Sequence, residues 1–481
     1  MTETAAYVPT VEPVRGERRA GSSWLLIALA AGLSGVALAA LWLTAHDALL
    51  RVALPSAAFV VGFVLYLSAP VRYVEYTLWL WFLTPLIRRV VDWRFGYVDP
   101  NFVLLAPLIV SGIGGVALLG FPGQQRRRIP PAFVLCGAAI VYAAVIDVIQ
   151  HPSTETIYGL ADWLCPLLFG LHFYLDADRY KQYRAAVSKT FLLAVPVMGL
   201  YGVYQFLAPP VWDRYWLESL YEAQGIASSF GKPEPLMVRV WSTMNAPGPF
   251  ANIMMTGLLL LLVLRSPFKI PAAVGGYLSL LLSAVRSAWL SYLLGLLLIL
   301  KTANPRVIAR ICLSAVIVTA CVVPLAANTH VAEVVWKRAD SFSDLSRDES
   351  FQDRTNMYRT LLSDALETPF GYGFKDRGDV KGFAVDSGIL ATLFALGWVG
   401  SLLYGAGILT LCFRLSQQRG VADQFATVSK AIAIAVVAQV IGGNVFVNAT
   451  GAMLWLFGGM ALAAGEQCGP EFGHFLSQAE R

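Results

Sequence analysis

The stretch IPAAVGGYLSLLLSAVRSAWLSYLLGLLLILK, residues 270–301, decides the fold. As a single helix it would be about 48 Å long, whereas the hydrocarbon core of a bilayer is about 30 Å thick. A single helix would also leave Lys301 on the outer side of the membrane. If the stretch breaks at 283–287, two short helices meet at Arg286 on the outer side, and both basic ends face the cytoplasm. We therefore predict this break.

The composition of the whole chain agrees with a membrane location. Of its 481 residues, 57% are hydrophobic and 14% are charged, with 13 Trp, 19 Tyr and 26 Phe. Soluble globular proteins carry about twice as much charge, and disordered chains are poor in aromatic residues. The composition predicts an all-α polytopic membrane protein. A polar stretch through Arg19 precedes the first apolar run, so we expect no cleavable signal peptide.

Apolar runs of about 20 residues, the length that crosses a bilayer as a helix, recur along the chain. They lie near 23–43, 51–69, 72–90, 101–120, 131–150, 158–175, 186–208, 249–265, 270–301, 308–326, 387–412, 427–446 and 449–465. With 270–301 divided, about fourteen spans result, with both termini inside. The inward loops are then basic, at 121–130, 176–185, 265–269 and 414–426. Arg88 and Arg89 are the exception, since this count places them outside.

This layout divides the chain into seven segments. They are a cytoplasmic tail (1–22), an N-terminal transmembrane bundle (23–208), a first outward loop (209–248), helices with the Arg286 hairpin (249–326), a second outward loop (327–385), C-terminal helices (386–466) and a cytoplasmic tail (467–481). In the second loop, Met357, Leu361 and Ala365 have the spacing of an amphipathic helix, which ends at Pro369. We expect this helix to cover a cavity. No internal repeat or duplication of halves is present, which disfavours a transporter.

Two arginines stand out as candidate ligands. Arg286 is the only charged residue between Pro271 and Leu300. An arginine at this depth costs a few kcal/mol, so it either snorkels to lipid headgroups or binds an anion through its forked guanidinium. Arg239 lies just before the Pro/Gly-rich segment 245–252 that opens the next span, where a surface-loop arginine is the alternative.

Two further motifs follow the amphipathic helix. Gly371 and Gly373 allow a tight backbone path or a close approach to a ligand. Asp386 opens the next span, where it could be the N-cap of the helix or a carboxylate at the mouth of a cavity. The scattered cysteines show no spacing typical of a metal site, so they are interpreted as small packing residues.

In this order the motifs resemble the O-antigen ligase and O-antigen (Wzy-type) polymerase superfamily, which includes the bacterial exopolysaccharide polymerases. The resemblance covers residues 236–405. It rests on Arg239, the Asn-rich segment 245–252, the Ser-Arg signature at 283–287, Arg354, the segment 369–374, and a polar residue that opens a helix containing Gly397 and Gly400. Family ligases carry a His-Asn pair where this chain has Asp386-Ser387. That departure disfavours a ligase and leaves the general base open.

The resemblance implies a GT-C-like glycosyltransferase that needs no metal or cofactor and acts at the periplasmic face of the bacterial inner (cytoplasmic) membrane. An acceptor hydroxyl attacks a glycan carried on undecaprenyl pyrophosphate, and the lipid pyrophosphate leaves. Arg239 and Arg286 would stabilise the leaving group, and Asp386 is the candidate base. The candidate substrate-binding residues are Arg354, Arg359, Gly371, Tyr372, Gly373, Trp241 and Asn245, with Phe374 as a further aromatic surface for sugar rings.

Three functions remain open at this point. A polymerase would extend a glycan on a lipid-linked repeat unit, whereas a ligase would move the finished glycan to lipid A core or to a protein. A transporter would move the lipid-linked sugar without forming a bond. The expected partners are the undecaprenyl-pyrophosphate-linked oligosaccharide, membrane lipids, a flippase and a chain-length-regulating co-polymerase. No nucleic acid is expected, because the basic clusters follow the positive-inside pattern.

Overall fold

The computed structural model describes residues 20–119, 127–150, 154–224, 230–301, 304–327, 349–374, 379–380, 383–384, 387–418 and 423–479. In these ranges the chain is helical, apart from loops, short 3₁₀ turns and a small hairpin of β1 (Asp379–Val380) and β2 (Phe383–Ala384). The α-helices are α1 (Ala20–Leu43), α2 (Asp47–Ser68), α3 (Pro70–Phe95), α4 (Leu105–Gly112), α5 (Pro131–Gln150), α6 (Thr154–Leu175), α7 (Tyr180–Leu207), α8 (Val211–Gln224), α9 (Pro247–Leu261), α10 (Lys269–Leu282), α11 (Arg286–Leu300), α12 (Pro305–Ala327), α13 (Glu349–Glu367), α14 (Gly388–Gln417), α15 (Gln424–Val437) and α16 (Asn448–Ala479).

Seven helical segments in the described ranges are long and apolar enough to cross a membrane, which makes this a multi-pass membrane protein. They are Leu26–Leu43, Asp47–Ser68, Phe102–Leu119, Pro131–Gln150, Ala177–Leu207, Gly388–Gln417 and Gln424–Gly442. Three more helices, α9, α10 and α11, are apolar but only 14 or 15 residues long. Helices of this length extend about 21–23 Å, less than the hydrocarbon core. Length and composition therefore do not confirm fourteen full crossings.

The predicted break in the stretch 270–301 is confirmed. α10 ends at Leu282 and α11 begins at Arg286. The hydroxyl of Ser283 donates to the carbonyl of Leu280 at 2.6 Å, and Ala284 has a left-handed φ of 52°. Both features end an α-helix, because one draws a carbonyl out of the backbone ladder and the other reverses the helical path.

Ion pairs join the predicted inward loops at one end of the bundle. Arg127 contacts Asp178 at 2.6 Å and Glu466 at 3.8 Å, while Arg184 contacts Asp423 at 2.9 Å. Pairs between exposed side chains contribute little stability each. Their value here is positional, because they bring three basic loops that are far apart in sequence to the same end of the molecule.

Arg88 and Arg89, the exception to the positive-inside pattern, lie near the C-terminal end of α3. Both side chains are buried and paired with carboxylates. Arg88 donates to Asp92 at 2.8 Å, and Arg51 reaches the same carboxylate at 2.5 Å. Arg89 forms an ion pair with Asp213 of α8. A buried charge that has an opposite charge beside it escapes most of the penalty of burial. This pairing accounts for two arginines on the side of the membrane where the positive-inside pattern does not place them.

Candidate active site

The guanidinium of Arg239 lies on the turn between α10 and α11. Its Nε donates to the carbonyl of Ser283 at 3.1 Å, and its Nη2 donates to the carbonyl of Ala284 at 3.3 Å. Arg286 is the next residue but one after Ala284. Two arginines that are 47 positions apart in the sequence are therefore brought to one turn.

The electrostatics of this turn favour an anion. Arg286 is the first residue of α11, and the N-cap residue, Val285, offers no side-chain cap. The N-terminus of a helix carries a partial positive charge, so a cation there is unfavourable while an anion is favourable. The partly exposed Arg286, the half-buried Arg239 and the N-terminus of α11 bring three positive groups to one turn. Such a set can bind a phosphate group bidentately.

A short segment, 438–443, packs against both the start of α11 and the start of α14. It forms a 3₁₀ turn after α15. A Cβ added at Gly442 would lie 3.6 Å from Cβ of Ser287, and a Cβ added at Gly388 would lie 2.6 Å from the carbonyl oxygen of Gly443. The first turns of α11 and α14 thus both contact segment 438–443.

Asp386 itself lies outside the described residues, but its predicted capping role can be corrected. The N-cap of α14 is Ser387, whose hydroxyl accepts from the backbone N–H of Leu390 at 3.4 Å. The hydroxyl of Tyr358 in α13 lies 2.5 Å from the same Ser387 oxygen. The N-cap position that the sequence assigned to Asp386 thus belongs to Ser387. Its proposed role as a base stays a prediction.

The amphipathic helix α13 packs on the first two turns of α14. Met357, Leu361 and Ala365 are buried together with Leu390 and Phe394. These three residues are the ones whose spacing predicts the buried face, so this face is confirmed. The contact places α13 beside the segment that opens with Ser387.

Of the two candidate arginines in α13, the structure describes the side chain of Arg359 and only the backbone of Arg354. Arg359 has an exposed side chain, in keeping with a residue that meets solvent or a solvent-borne glycan. The backbone of Arg354 lies in the same helix, and its side chain lies outside the described residues. A role in substrate binding stays a prediction for both.

The segment that follows α13 supplies hydrogen-bond donors to carbonyls at a break in α14. At Gly397 the backbone leaves the helical region, with φ 63° and ψ 174°. The carbonyls of Phe394 and Ala395 accept instead from the N–H groups of Tyr372 at 2.8 Å and Gly373 at 3.1 Å. Backbone groups within a membrane protein need such partners, because lipid supplies none.

The glycines of this segment are explained by close packing. A Cβ added at Gly371 would lie 2.3 Å from the backbone nitrogen of Gly397, and one at Gly373 would lie 2.3 Å from Cβ of Asp147. Both glycines also have a φ of 76°. The carboxylate of Asp147 accepts from the N–H of Phe374 at 3.1 Å. The tight backbone path is therefore confirmed, whereas the binding of substrate by Gly371, Tyr372 and Gly373 stays a prediction.

The remaining candidates lie on the segment between α8 and α9. Trp241 is buried with its ring against Phe230, the centroids 6.0 Å apart. Asn245 accepts through Oδ1 from the indole N–H of Trp216 at 3.3 Å. These contacts fix both side chains on the segment that also carries Arg239. Sugar binding by Trp241 and Asn245 stays a prediction.

Several buried polar atoms in the same region have no hydrogen-bond partner within the part of the chain that the structure describes. They are Nε1 of Trp241, Oγ1 of Thr243, Oδ1 of Asn252 and Nε2 of Gln439. Folded proteins leave few buried polar groups unpaired, and each one calls for an explanation. Gln439 belongs to segment 438–443 and is absent from the predicted site. Sequence offers only one signal for it, a polar amide at the end of an apolar helix.

One comparison bears directly on these motifs. Residues 271–405 match the family model described as O-antigen ligase. The resemblance to the O-antigen ligase and polymerase superfamily is confirmed. The matched residues include the arginine turn, α13, the Gly371–Gly373 segment and the break at Gly397, and they leave Arg239 outside. A comparison with curated proteins finds no match to the chain. The O-antigen ligase match indicates an enzyme of the glycan-transfer class, carried on a multi-pass membrane protein.

Proposed function

We propose that this protein is a polysaccharide polymerase of the bacterial inner membrane, acting at its periplasmic face. It transfers glycan from an undecaprenyl-pyrophosphate-linked donor to a hydroxyl of a lipid-linked repeat unit, in exopolysaccharide or O-antigen biosynthesis. The full architecture in this proposal is GT-C-like, with about fourteen membrane-associated helices. The proposal needs no metal or cofactor, because arginines supply the positive charge.

One observation carries the proposal: the guanidinium of Arg239 is bonded to the carbonyls of the turn from which Arg286 begins α11. A diphosphate leaving group gains negative charge as its bond to the sugar breaks. Preorganised cations stabilise that charge most effectively when they are already in place and shielded from water. Two arginines and a helix N-terminus at one turn supply cations that are in place before the reaction.

The reaction balances with groups of this chain. The oxygen of the acceptor hydroxyl forms a bond to the anomeric carbon, and the bond from that carbon to the pyrophosphate oxygen breaks. The leaving lipid pyrophosphate takes the electron pair, next to Arg239 and Arg286. The hydroxyl proton passes to Asp386, the candidate general base, or to solvent.

The short helices suggest how a lipid carrier reaches the arginines. With the basic ends of α9, α10 and α11 at the cytoplasmic boundary, helices of about 21–23 Å end several ångströms below the outer boundary. The arginine turn would then be recessed between longer helices. A polyprenyl chain in the outer leaflet could present its pyrophosphate there without leaving the membrane.

The experiment that tests the function uses purified protein with lipid-linked repeat units extracted from the host's membranes. A ladder of products of increasing length supports the polymerase. A single transfer to lipid A core or protein indicates a ligase instead, and movement of the lipid-linked sugar without a new glycosidic bond indicates a transporter. A flippase and a chain-length-regulating co-polymerase are proposed as partners, since one supplies the donor and the other limits the product.

A further inference from the structure

Each backbone N–H of residues 239–242 donates a hydrogen bond. We call residues 239–242 the strap. The N–H of Arg239 donates to the carbonyl of Phe230 at 2.9 Å, and the N–H of Val240 donates to the carbonyl of Leu282 at 3.1 Å. The two remaining amides, of Trp241 and Ser242, both donate to Oε1 of Gln205, at 3.1 and 2.8 Å. A loop held this completely is a rigid element.

The far end of the strap is held in an unfavourable backbone conformation. Ser242 has a φ of 50°, in the left-handed region that residues other than glycine rarely occupy. Its hydroxyl donates to the carbonyl of Met198 at 2.6 Å, and its carbonyl accepts from Nη2 of Arg89 at 2.5 Å. Such a conformation persists only where the surroundings determine it strongly, and such sites cluster where geometry matters for function.

The carboxylate of Asp213 orients both Gln205 and Arg89, whose side chains form hydrogen bonds with the backbone of Ser242. Oδ2 of Asp213 accepts from Nε2 of Gln205 at 2.6 Å, and Oδ1 pairs with Arg89. The bond to Asp213 directs the amide oxygen of Gln205 toward the strap, because an amide presents its donor and its acceptor on opposite sides. Arg89, Gln205 and Asp213 are all fully or almost fully buried. Of the polar side-chain atoms of these three residues, only Nε of Arg89 has no hydrogen-bond partner within the described residues, and the remaining bonds restrict the three side chains to one arrangement.

We propose that Gln205, oriented by Asp213 and Arg89, is a positioning residue for Arg239. The proposal rests on the proposed function, in which Arg239 stabilises the leaving pyrophosphate. Among the hydrogen bonds of the described residues, those of Gln205 reach the site through the amides of the strap. A displacement of about 1 Å at a catalytic group can cost as much as 10²-fold in rate, so a rigid strap matters even though Gln205 does not meet the substrate.

The test is a double-mutant cycle between Gln205→Met and Arg239→Ala, with the lipid-linked repeat units as substrate. Gln205→Met keeps the size of the side chain and removes both hydrogen-bonding groups. We expect kcat to fall about tenfold to a hundredfold with KM little changed, because the loss concerns charge that develops in the transition state. In the Arg239→Ala protein, Gln205→Met should cause almost no further loss, since the group that it positions is gone.

Tyr73→Phe is the matched control. Tyr73 is also fully buried in the membrane region and donates to a backbone carbonyl, that of Val110 at 2.8 Å, far from the strap. This variant should turn over at the wild-type rate per folded molecule. If the losses from Gln205→Met and Arg239→Ala multiply, Gln205 does not act through Arg239 and the inference is overturned while the proposed function stands. If Arg239→Ala has wild-type activity, both fail.

A second variant covers the case in which Gln205→Met does not fold. Asp213→Asn preserves the shape of the side chain and leaves one acceptor oxygen in place of two, so it loosens the orientation of Gln205 without removing it. It should show the same loss in kcat and the same lack of further loss in the Arg239→Ala protein. Multiplying losses here would overturn the inference in the same way.

Discussion

At the scale of single residues, Arg286 occupies a position that stability alone does not favour. A cation at the N-terminus of a helix costs about 0.3–1 kcal/mol relative to a neutral residue. Arg239 adds a second positive charge to the same turn through its bonds to Ser283 and Ala284. Repulsion of this kind is offset when an anion binds between the charges. The pyrophosphate of the proposed donor would supply that anion.

Replacing Arg286 by lysine tests the geometry separately from the charge. Lysine keeps the positive charge and loses the forked pair of donors, so polymer synthesis should fall by about 10²-fold. The measurement is product formed per molecule of purified protein. Arg306→Lys, at the start of α12 on the predicted cytoplasmic side, is the control and should be neutral. Full activity of Arg286→Lys would mean that a point charge suffices and that bidentate binding is not required.

Replacing Asp386 by asparagine tests the candidate base. Ser387 caps α14, so Asp386→Asn should leave the folding and the membrane level of the protein unchanged. An amide cannot take up the proton of the acceptor hydroxyl, and turnover should fall by roughly 10² or more. Ser387→Ala is the comparison for the cap and should lower stability by about 1 kcal/mol. Polymer synthesis at the normal rate by well-expressed Asp386→Asn protein would remove Asp386 from the mechanism.

At the scale of elements, α14 and the segment after α13 form one unit. The helix is broken at Gly397, and the carbonyls that the break exposes are bonded by Tyr372 and Gly373. α13 packs on the same part of α14 through Leu361 and its neighbours. The break, the glycine segment and the amphipathic helix therefore depend on one another. A change in any one of them should loosen the other two.

Gly397→Ala should destabilise this unit strongly. Alanine disfavours a φ of 63°, and its Cβ would lie 2.4 Å from the backbone nitrogen of Gly371, so the loss should be about 3 kcal/mol or more. Gly405→Ala in the same helix is the matched control. Apart from the backbone of its own helix, no atom of the described residues lies within 4 Å of a Cβ added there, and an alanine in a helix interior should stabilise by up to about 1 kcal/mol. Thermal stability of both variants in detergent is the measurement, and equal stabilities would contradict the packing described.

Hydrogen exchange tests whether α13 is ordered in the resting protein. The burial of Met357 and Leu361 against α14 predicts protection of the amides from 353 to 367. Leu361→Asn should abolish most of that protection, because it buries an amide without partners. Thr360→Asn, one residue earlier on the exposed side, should leave protection unchanged. Rapid exchange of the whole helix in the unsubstituted protein would show that α13 is not a stable cover.

At the scale of the whole molecule, two polar ends are separated by an apolar bundle. One end joins the basic loops through pairs such as Arg127–Asp178, and the other buries Arg89 against Asp213 beside the strap. The candidate active site lies at the second end. The positive-inside pattern predicts that the first end is cytoplasmic. That orientation would leave the site open to the periplasm, where lipid-linked glycans are polymerised in the proposed function.

Cysteine labelling tests this orientation. Arg214 of α8 and Lys181 of α7 are both exposed and lie toward opposite ends. In spheroplasts, a membrane-impermeant maleimide should label Arg214→Cys at once and Lys181→Cys only after permeabilisation. The unsubstituted protein gives the background from the native cysteines. Labelling in the reverse order would place the arginine turn on the cytoplasmic side and exclude the proposed reaction there.

The sequence alone determined the features that a run of neighbouring residues controls. Apolar runs predict the membrane helices, the length of 270–301 predicts its break, and the spacing of Met357, Leu361 and Ala365 predicts the buried face of α13. Each depends on hydropathy, period or helix length over a few turns. The order of the short motifs also predicted the superfamily, which the match over residues 271–405 confirms.

Only the tertiary structure decided which distant segments meet. It brought Arg239 to the turn of Arg286, paired Arg89 with Asp213, and showed that Gly371 is needed to approach Gly397. These contacts join residues up to 124 positions apart. No local pattern encodes them, because the free energy of a buried ion pair or a close backbone contact depends on how whole helices pack.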